Sequence, residues 1–405
     1  MTRSFRLFGA SLVSALAISS ASLPAQTPNG NAATGRVVPA PTPAAAPDTA
    51  KPTPARAPQL DFSGVMFANY QYRLDRGVSR GANKFDVERV YLTFRMPAGD
   101  RASVRITTDL FQQQSSGNDG FYRGWVVRAK YAYLQYDYLK RTGLTAVARL
   151  GLIHNVFIDH DESFWPRWVG TVATDRYGYF SSADAGLVSL VTLPGRRGEL
   201  YVTLVNGPGY TSRETDRFKD YGARLTLTPF AGSASALWRT LALTGWTYQG
   251  AVGSKFATAG PGQIGPIGSS LQRDRWGVFA GLKHPRLTLA AQYAARSDEG
   301  ESGGNTTALP RAVVDSSGNL VSAYAMARVL GSAGSTVKPV HILARVDQVT
   351  THRSRGDRHR LVVGGLIWDF TSAASLALDY QELLPQRGSA VAASRTMFLH
   401  LVARF

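Results

Sequence analysis

The chain has 405 residues, enough for one large domain or two, and 45 Lys and Arg against 28 Asp and Glu give it a net charge of +17. Its 44% hydrophobic content never gathers into the ~20 consecutive apolar residues that a membrane helix needs, so a helical membrane protein is excluded. A membrane barrel is not, because only alternate residues of each strand meet lipid. The absence of Cys excludes disulfides and thiolate metal sites, and 40 Gly, 17 Tyr, 18 Phe and 7 Trp suit a sheet protein with many turns and interfacial aromatics.

Residues 1–25 read as a signal peptide: Arg3 and Arg6 supply charge, Leu7 to Ile18 form an apolar core too short to span, and small residues follow, with Ala25 as the expected cleavage site and Ala21 as the alternative. Two of the basic residues and none of the acidic ones lie there, so the mature charge falls from +17 to +15. Such charge fits a nucleic-acid patch or plain solubility, but an exported chain does not meet nucleic acid, and positive charge along a pore favours anions. Residues 26–59 are rich in Ala, Pro and Thr; proline lacks a donor and fixes φ, so the segment reads as a semi-extended periplasmic linker.

From residue 60 onward, sixteen segments alternate in hydrophobicity. They cover 61–74, 84–96, 101–112, 127–140, 144–154, 184–193, 198–206 and 219–228, then 236–249, 272–283, 286–296, 321–331, 337–350, 357–370, 374–383 and 394–405. The segment 236–249 sorts least cleanly by parity. The connections alternate between brief turns such as Pro97 to Asp100, Lys140 to Gly143 and Pro194 to Gly198, and longer links such as 75–83, 113–126, 155–183 and 250–271. Outer-membrane barrels have short periplasmic turns and long outer loops, and an even strand count puts both chain ends on the periplasmic side. The expected fold is all-β, a transmembrane antiparallel β-barrel of about 16 strands over residues 60–405.

Within a strand, successive side chains point to opposite faces. In 101–112, Arg101, Ser103, Arg105, Thr107 and Asp109 oppose Ala102, Val104, Ile106 and Leu110; Arg149, Arg224 and Arg345 likewise oppose apolar neighbours. An Arg facing lipid at mid-depth costs ~2–4 kcal/mol, so the charged parity faces inward. An inward face this charged cannot pack dry, and sixteen strands enclose enough room for water. The inward set holds Arg89, Arg95, Arg105, Arg149, Arg224, Arg275 and Arg345, with Arg73 and Lys283 at its margin, against Asp109, Glu199, Asp347, Asp369 and Asp379. Guanidinium forks suit phosphate or carboxylate and imply a pore that prefers anions. The alternative is that these groups pair across strands to fix the barrel's shape.

The link 155–183 follows the fifth strand and is long enough to fold into the bore. There Asp159, Asp161, Glu162, Arg167 and Arg176 would set the field at a constriction; the alternative is an exposed outer loop. Asp159 to Glu162 also offers hard oxygen ligands, but acidic loop clusters are ordinarily solvated, so no metal is assigned. His154, His160 and Ser163 are near in sequence, yet no nucleophile elbow is present, and neither catalysis nor a cofactor is expected. Tyr70, Tyr72, Tyr131, Tyr133, Trp238, Trp246, Trp276, Trp368 and Tyr380 cluster near strand ends, mostly on the lipid parity, and read as interfacial girdles rather than a sugar-stacking track.

The last ten residues, T-M-F-L-H-L-V-A-R-F, put Met397, Leu399, Leu401, Ala403 and Phe405 on one face. They resemble the closing strand of outer-membrane barrels, whose terminal Phe engages the barrel assembly machinery. Phe85 to Arg95 (F-D-V-E-R-V-Y-L-T-F-R) and Ala148 to Ile153 (A-R-L-G-L-I), running on to Phe157, resemble two stretches of the phosphate-selective porin O and P family. The resemblance implies a sixteen-stranded, homotrimeric porin in the outer membrane of a Gram-negative-type bacterium, held in lipid and lipopolysaccharide, passing small anionic solutes such as phosphate. Glu88 replaces a common second basic residue, and Leu152 to His154 a polar-aromatic-Lys run, so the solute is less well supported than the architecture. The rival functions are a nonspecific or sugar-preferring porin and a plugged barrel serving as adhesin or anchor.

Overall fold

The computed structural model describes residues 59–77, 79–112, 124–214, 216–253, 270–302, 312–332, 335–353, 356–389 and 391–405. The expected signal peptide and all but the last residue of the expected linker lie outside them. The first half of the barrel comprises β1 (Asp61–Arg73), β2 (Asn83–Pro97), β3 (Ala102–Gln112), β4 (Trp125–Arg141), β5 (Leu144–His154), β6 (Ala183–Thr192), β7 (Gly198–Val205) and β8 (Asp220–Leu227). Next come β9 (Ala242–Gly253), β10 (Ser270–His284), β11 (Leu287–Ser302), β12 (Ala312–Asp315) and β13 (Gly318–Leu330). The ring ends with β14 (Val340–His352), β15 (Asp357–Trp368), β16 (Ala374–Pro385) and β17 (Ser394–Arg404).

Every strand pairs antiparallel with its neighbours, and β1 pairs with β17 from Val65↔Arg404 to Arg73↔Thr396, which closes the ring. The four-residue β12 only extends the tip of β11, whose main partner is β13, so sixteen strands make the wall. Closure leaves no edge strand, and all ladder hydrogen bonds are internal, as a span through hydrocarbon requires.

Burial alternates along the strands as the polarity does. On β7, Leu200, Val202 and Leu204 are exposed while Tyr201, Thr203 and Val205 are buried; on β17, Met397 and Leu399 are exposed while His400 and Val402 are buried. The exposed Leu, Val, Ile and aromatic side chains run around the outside of the ring and find their solvent only in lipid. At the closing seam, Gly64 and Phe405 exchange backbone hydrogen bonds, and the Phe405 ring lies so close over Gly64 that a Cβ there would sit 2.3 Å from it.

The expected segment 236–249 requires correction: β9 starts at Ala242, and Trp238–Thr240 form a 3-10 turn. The apolar run that suggested a strand is a surface link, with Trp238 against Phe230 at 6.1 Å and the Thr240 hydroxyl accepting from the Lys283 amide. Residues 228–241 and 331–339 are therefore long connections on the short-turn rim, and the alternation of link lengths is broken there twice.

Candidate functional site

Near its end, β5 holds a position that only glycine satisfies. Gly151 has φ +128, and a Cβ on it would lie 2.2 Å from the Ala132 carbonyl oxygen. Three residues later the chain leaves the wall and enters the bore. The loop carries two short helices, α1 (Ile158–Glu162) and α2 (Ala173–Arg176). Val156, Phe157, Ile158, Trp165, Val169, Val172 and Tyr179 are all at most 2% exposed, which an outer loop in water would not permit. Phe157 packs on Trp246 and Phe279, Phe180 on Trp246 and Tyr248, and Trp165 on Tyr324.

Polar ties hold the loop to the wall from β8 to β16. The Asp161 carboxylate accepts from the Tyr324 hydroxyl and from Gln292 Nε2, each at 2.7 Å. Arg224 donates to the Val156 carbonyl at 3.0 Å, Arg345 to Thr171 at 2.8 Å and Gln381 to Val169 at 3.0 Å; Arg275 donates to the Tyr179 carbonyl and Lys283 to that of Ser163. The loop is thus held on the side of the bore bounded by these strands, and space remains against β1 to β4. There it meets a cavity of about 440 Å³ lined by both wall and loop.

Three of the seven expected wall arginines serve the loop, each with a carboxylate partner of its own. Arg224 pairs with Glu199, Arg275 with Asp298 at 2.6 Å and Arg345 with Asp347 at 2.8 Å; Arg345 and Asp347 are both buried. Arg89 shares the fully buried Asp109 with Arg128, at 2.8 and 2.9 Å, and Arg95 sits half-exposed at the turn rim, 3.6 Å from Asp61. Arg105 and Arg149 differ. Arg105 meets Thr107 at 3.1 Å, His154 at 3.3 Å and the face of Tyr131; Arg149 donates to Gln135 at 2.9 Å and covers Tyr133. Neither forms an ion pair among the described residues.

A third such cation went unread in the sequence. Lys130 is buried, with Nζ 4.2 Å from the centre of the Tyr91 ring and no ion pair among the described residues. It is the extra residue of a β-bulge: Thr107 pairs with Tyr131 but Thr108 with Ala129. The bulge turns Lys130 and Tyr131 to the same side. Its signal was present, because the polar parity of the strand switches from Arg128 and Lys130 to Gln135 and Asp137. A second bulge lies at Glu88, between the pairs Phe67↔Arg89 and Ala68↔Val87. The β4 bulge also corrects the aromatic reading of Tyr131 and Tyr133, and the burial pattern of β9 that of Trp246: all three face inward and are buried, whereas Tyr72, Trp238, Trp276 and Trp368 stay on the outside.

The loop residues take separate positions. Asp159 faces the passage, 3.7 Å from His154 and open to the water of the bore; burial deep in the barrel would raise its carboxyl, but His154, Arg105, Arg224 and Arg149 hold it below the ordinary value. Asp161 is the anchor described above, and burial pushes its carboxyl up to about 6 against the two hydrogen bonds. Glu162 and Arg167 pair at the cavity's edge, Arg167 also reaching Asp175 at 3.0 Å. Arg176 is exposed between the ties at Thr171 and Tyr179. The acidic run therefore points in three directions, and no cluster of metal-binding geometry exists among the described residues. Ser163 donates to the His160 carbonyl, not to an imidazole, and the His160 ring meets the Thr244 hydroxyl at 3.0 Å.

A closed sixteen-stranded ring with a greasy exterior and a loop folded into its bore is the fold of the bacterial outer-membrane porins, and this chain is an outer-membrane β-barrel. It is similar to the anion-selective porin from Comamonas acidovorans (10% identity, TM-score 0.58, 86% of this chain and 100% of that chain) and to the outer membrane channel DcaP of Acinetobacter baumannii (12%, 0.58, 87% and 99%). A third similar structure is Salmonella typhi OmpF in complex with daunomycin (13%, 0.55, 85% and 97%). No family model matches the sequence and no curated protein is similar to it, so the resemblance to the phosphate-selective porins rests on the two short stretches quoted above.

Proposed function

We propose that the protein is an outer-membrane channel through which small solutes diffuse passively, with a preference for anions. The observation that carries this reading is the lining of the passage: five basic side chains, Arg105, Lys130, Arg167, Lys283 and Arg404, against two acidic ones, Asp159 and Glu162. Arg167 and Glu162 cancel each other, and Arg149 adds to the positive field at Asp159. The hydrogen-bond and ring partners of Arg105, Lys130 and Arg149 are neutral, so an anion passing them breaks no ion pair, while Arg105 and Arg149 stand in the field of Asp159. Each site attracts by charge-assisted hydrogen bonding and releases because water competes in the bore.

The similarity to an anion-selective porin supports the same direction. Small anions of the phosphate kind fit the guanidinium chemistry, and the trimer form of Vibrio cholerae OmpT, of similar fold (11% identity, TM-score 0.54), supports assembly as a homotrimer in lipid and lipopolysaccharide. Phe405, the residue expected to engage the assembly machinery, closes the seam on Gly64 and keeps 62% of its surface exposed. A plugged anchor is disfavoured because the cavity runs on: Pro166, Trp168, Met326 and Arg404 also line a second space of about 650 Å³ toward the turn rim. The test is the reversal potential of the purified protein in a planar bilayer under a KCl gradient. Anion preference is the expected result; cation preference rejects the reading.

A further inference from the structure

We propose that the passage contains a binding site for organic anions with a flat apolar body, of which an aromatic monocarboxylate is the simplest, in preference to inorganic phosphate. The inference rests on the anion-channel reading and names the class of solute. The cavity beside the loop is two-sided. Arg105 and Lys130 stand on the β3 and β4 side with the hydroxyls of Thr93 and Thr107, and Asp159, Lys283, Arg404 and the Glu162–Arg167 pair also reach the lining; its apolar part is Phe164 and Trp168 of the loop, with Phe67 of β1 and Met326 of β13.

Phosphate carries oxygens on all sides and needs donors all round it. In this cavity it would gain guanidinium and ammonium on one side and lose water against rings and a thioether on the other, and uncompensated desolvation of an anion is costly. An aromatic carboxylate matches both sides at once. Its two oxygens meet the cations, its ring replaces water against Phe164 and Trp168, and aromatic contact adds to the area removed from water. At about 440 Å³ the cavity has the size of a small-molecule site, and such sites combine an apolar lining with a few convergent polar groups. The next space toward the turn rim places Lys338 and Arg404 beside Trp168, Pro166 and Ile367, with His341 paired to Asp369 at 3.1 Å, and offers a second station.

The test measures current block of the full-length protein in planar bilayers by benzoate, acetate and inorganic phosphate, with the KCl reversal potential recorded on the same channels. Benzoate is expected to block at concentrations about tenfold below acetate and phosphate, equivalent to ~1.4 kcal/mol. Trp168→Leu is expected to bring benzoate close to acetate; the wild-type comparison decides the matter if that variant fails to fold. Equal block by benzoate and acetate in a channel that still prefers chloride to potassium overturns this inference and leaves the anion reading standing. Preference for potassium overturns both.

Discussion

The wall from β3 to β5 and the wall from β10 to β14 carry the same residue types on the same parity, yet they use them differently. On β10 and β14, Arg275 and Arg345 each close on a carboxylate and extend a remaining donor to a loop carbonyl. On β3, β4 and β5, Arg105, Lys130 and Arg149 rest on tyrosine faces and neutral acceptors. An ion-paired arginine contributes shape and little field; one held by neutral groups contributes field to whatever passes. Both readings of the lumen charge are thus realised in one barrel: arginines braced by carboxylates, and cations on β3 to β5 held by neutral groups.

The largest test of that contrast is Arg345→Ala. It leaves the fully buried Asp347 without its cation, and removing one partner of a buried pair costs about 3–5 kcal/mol. Lower heat stability of the folded form on gel electrophoresis, with the reversal potential little changed, is the expected pattern. The complementary change is Arg105→Ala, Lys130→Ala and Arg149→Ala together. The ratio of chloride to potassium permeability should fall about tenfold, ~1.4 kcal/mol, with little loss of stability; an unchanged ratio would mean that these groups do not line the path.

Acidity tests the loop anchor. Asp161, with a carboxyl pushed up to about 6 from an ordinary 3.8, keeps a proton in the folded barrel that the unfolded chain releases. The stability due to that proton is present below pH ~4 and is lost as pH rises through about 6. Thermal melts between pH 4 and 7 should show this decline, and Asp161→Asn should flatten it. Asp159→Asn removes a solvated charge at the passage and should raise anion preference by about twofold to fivefold, the effect of ~0.5–1 kcal/mol at a few ångström in water. Arg95→Gln breaks only a half-exposed rim pair and should change stability by less than ~1 kcal/mol.

Much of the fold was legible because a strand in lipid has no freedom of pattern. Fifteen of the sixteen expected segments coincide with barrel strands to within a few residues at most ends, and the exception, at 236–249, is the one whose parity was mixed. Less of the site was legible. Reading strict parity through β4 hid Lys130, because a single inserted residue reverses the faces of everything beyond it. Reading strand ends as girdles misassigned Tyr131, Tyr133 and Trp246, since an aromatic can serve the interface or the bore and only its neighbours across the barrel decide which.

By itself the sequence determined the ring: a two-residue period, the placing of charge on one face, and closure through the C-terminal strand all follow from local chemistry meeting lipid and water. Only the tertiary structure decided which arginines are braced and which face the passage. That depends on where a long loop crosses the bore and on carboxylates as far as 25 residues away along the chain, as Glu199 is from Arg224. Ion pairing is a matter of ångströms between separate elements, and no periodicity along a strand records it.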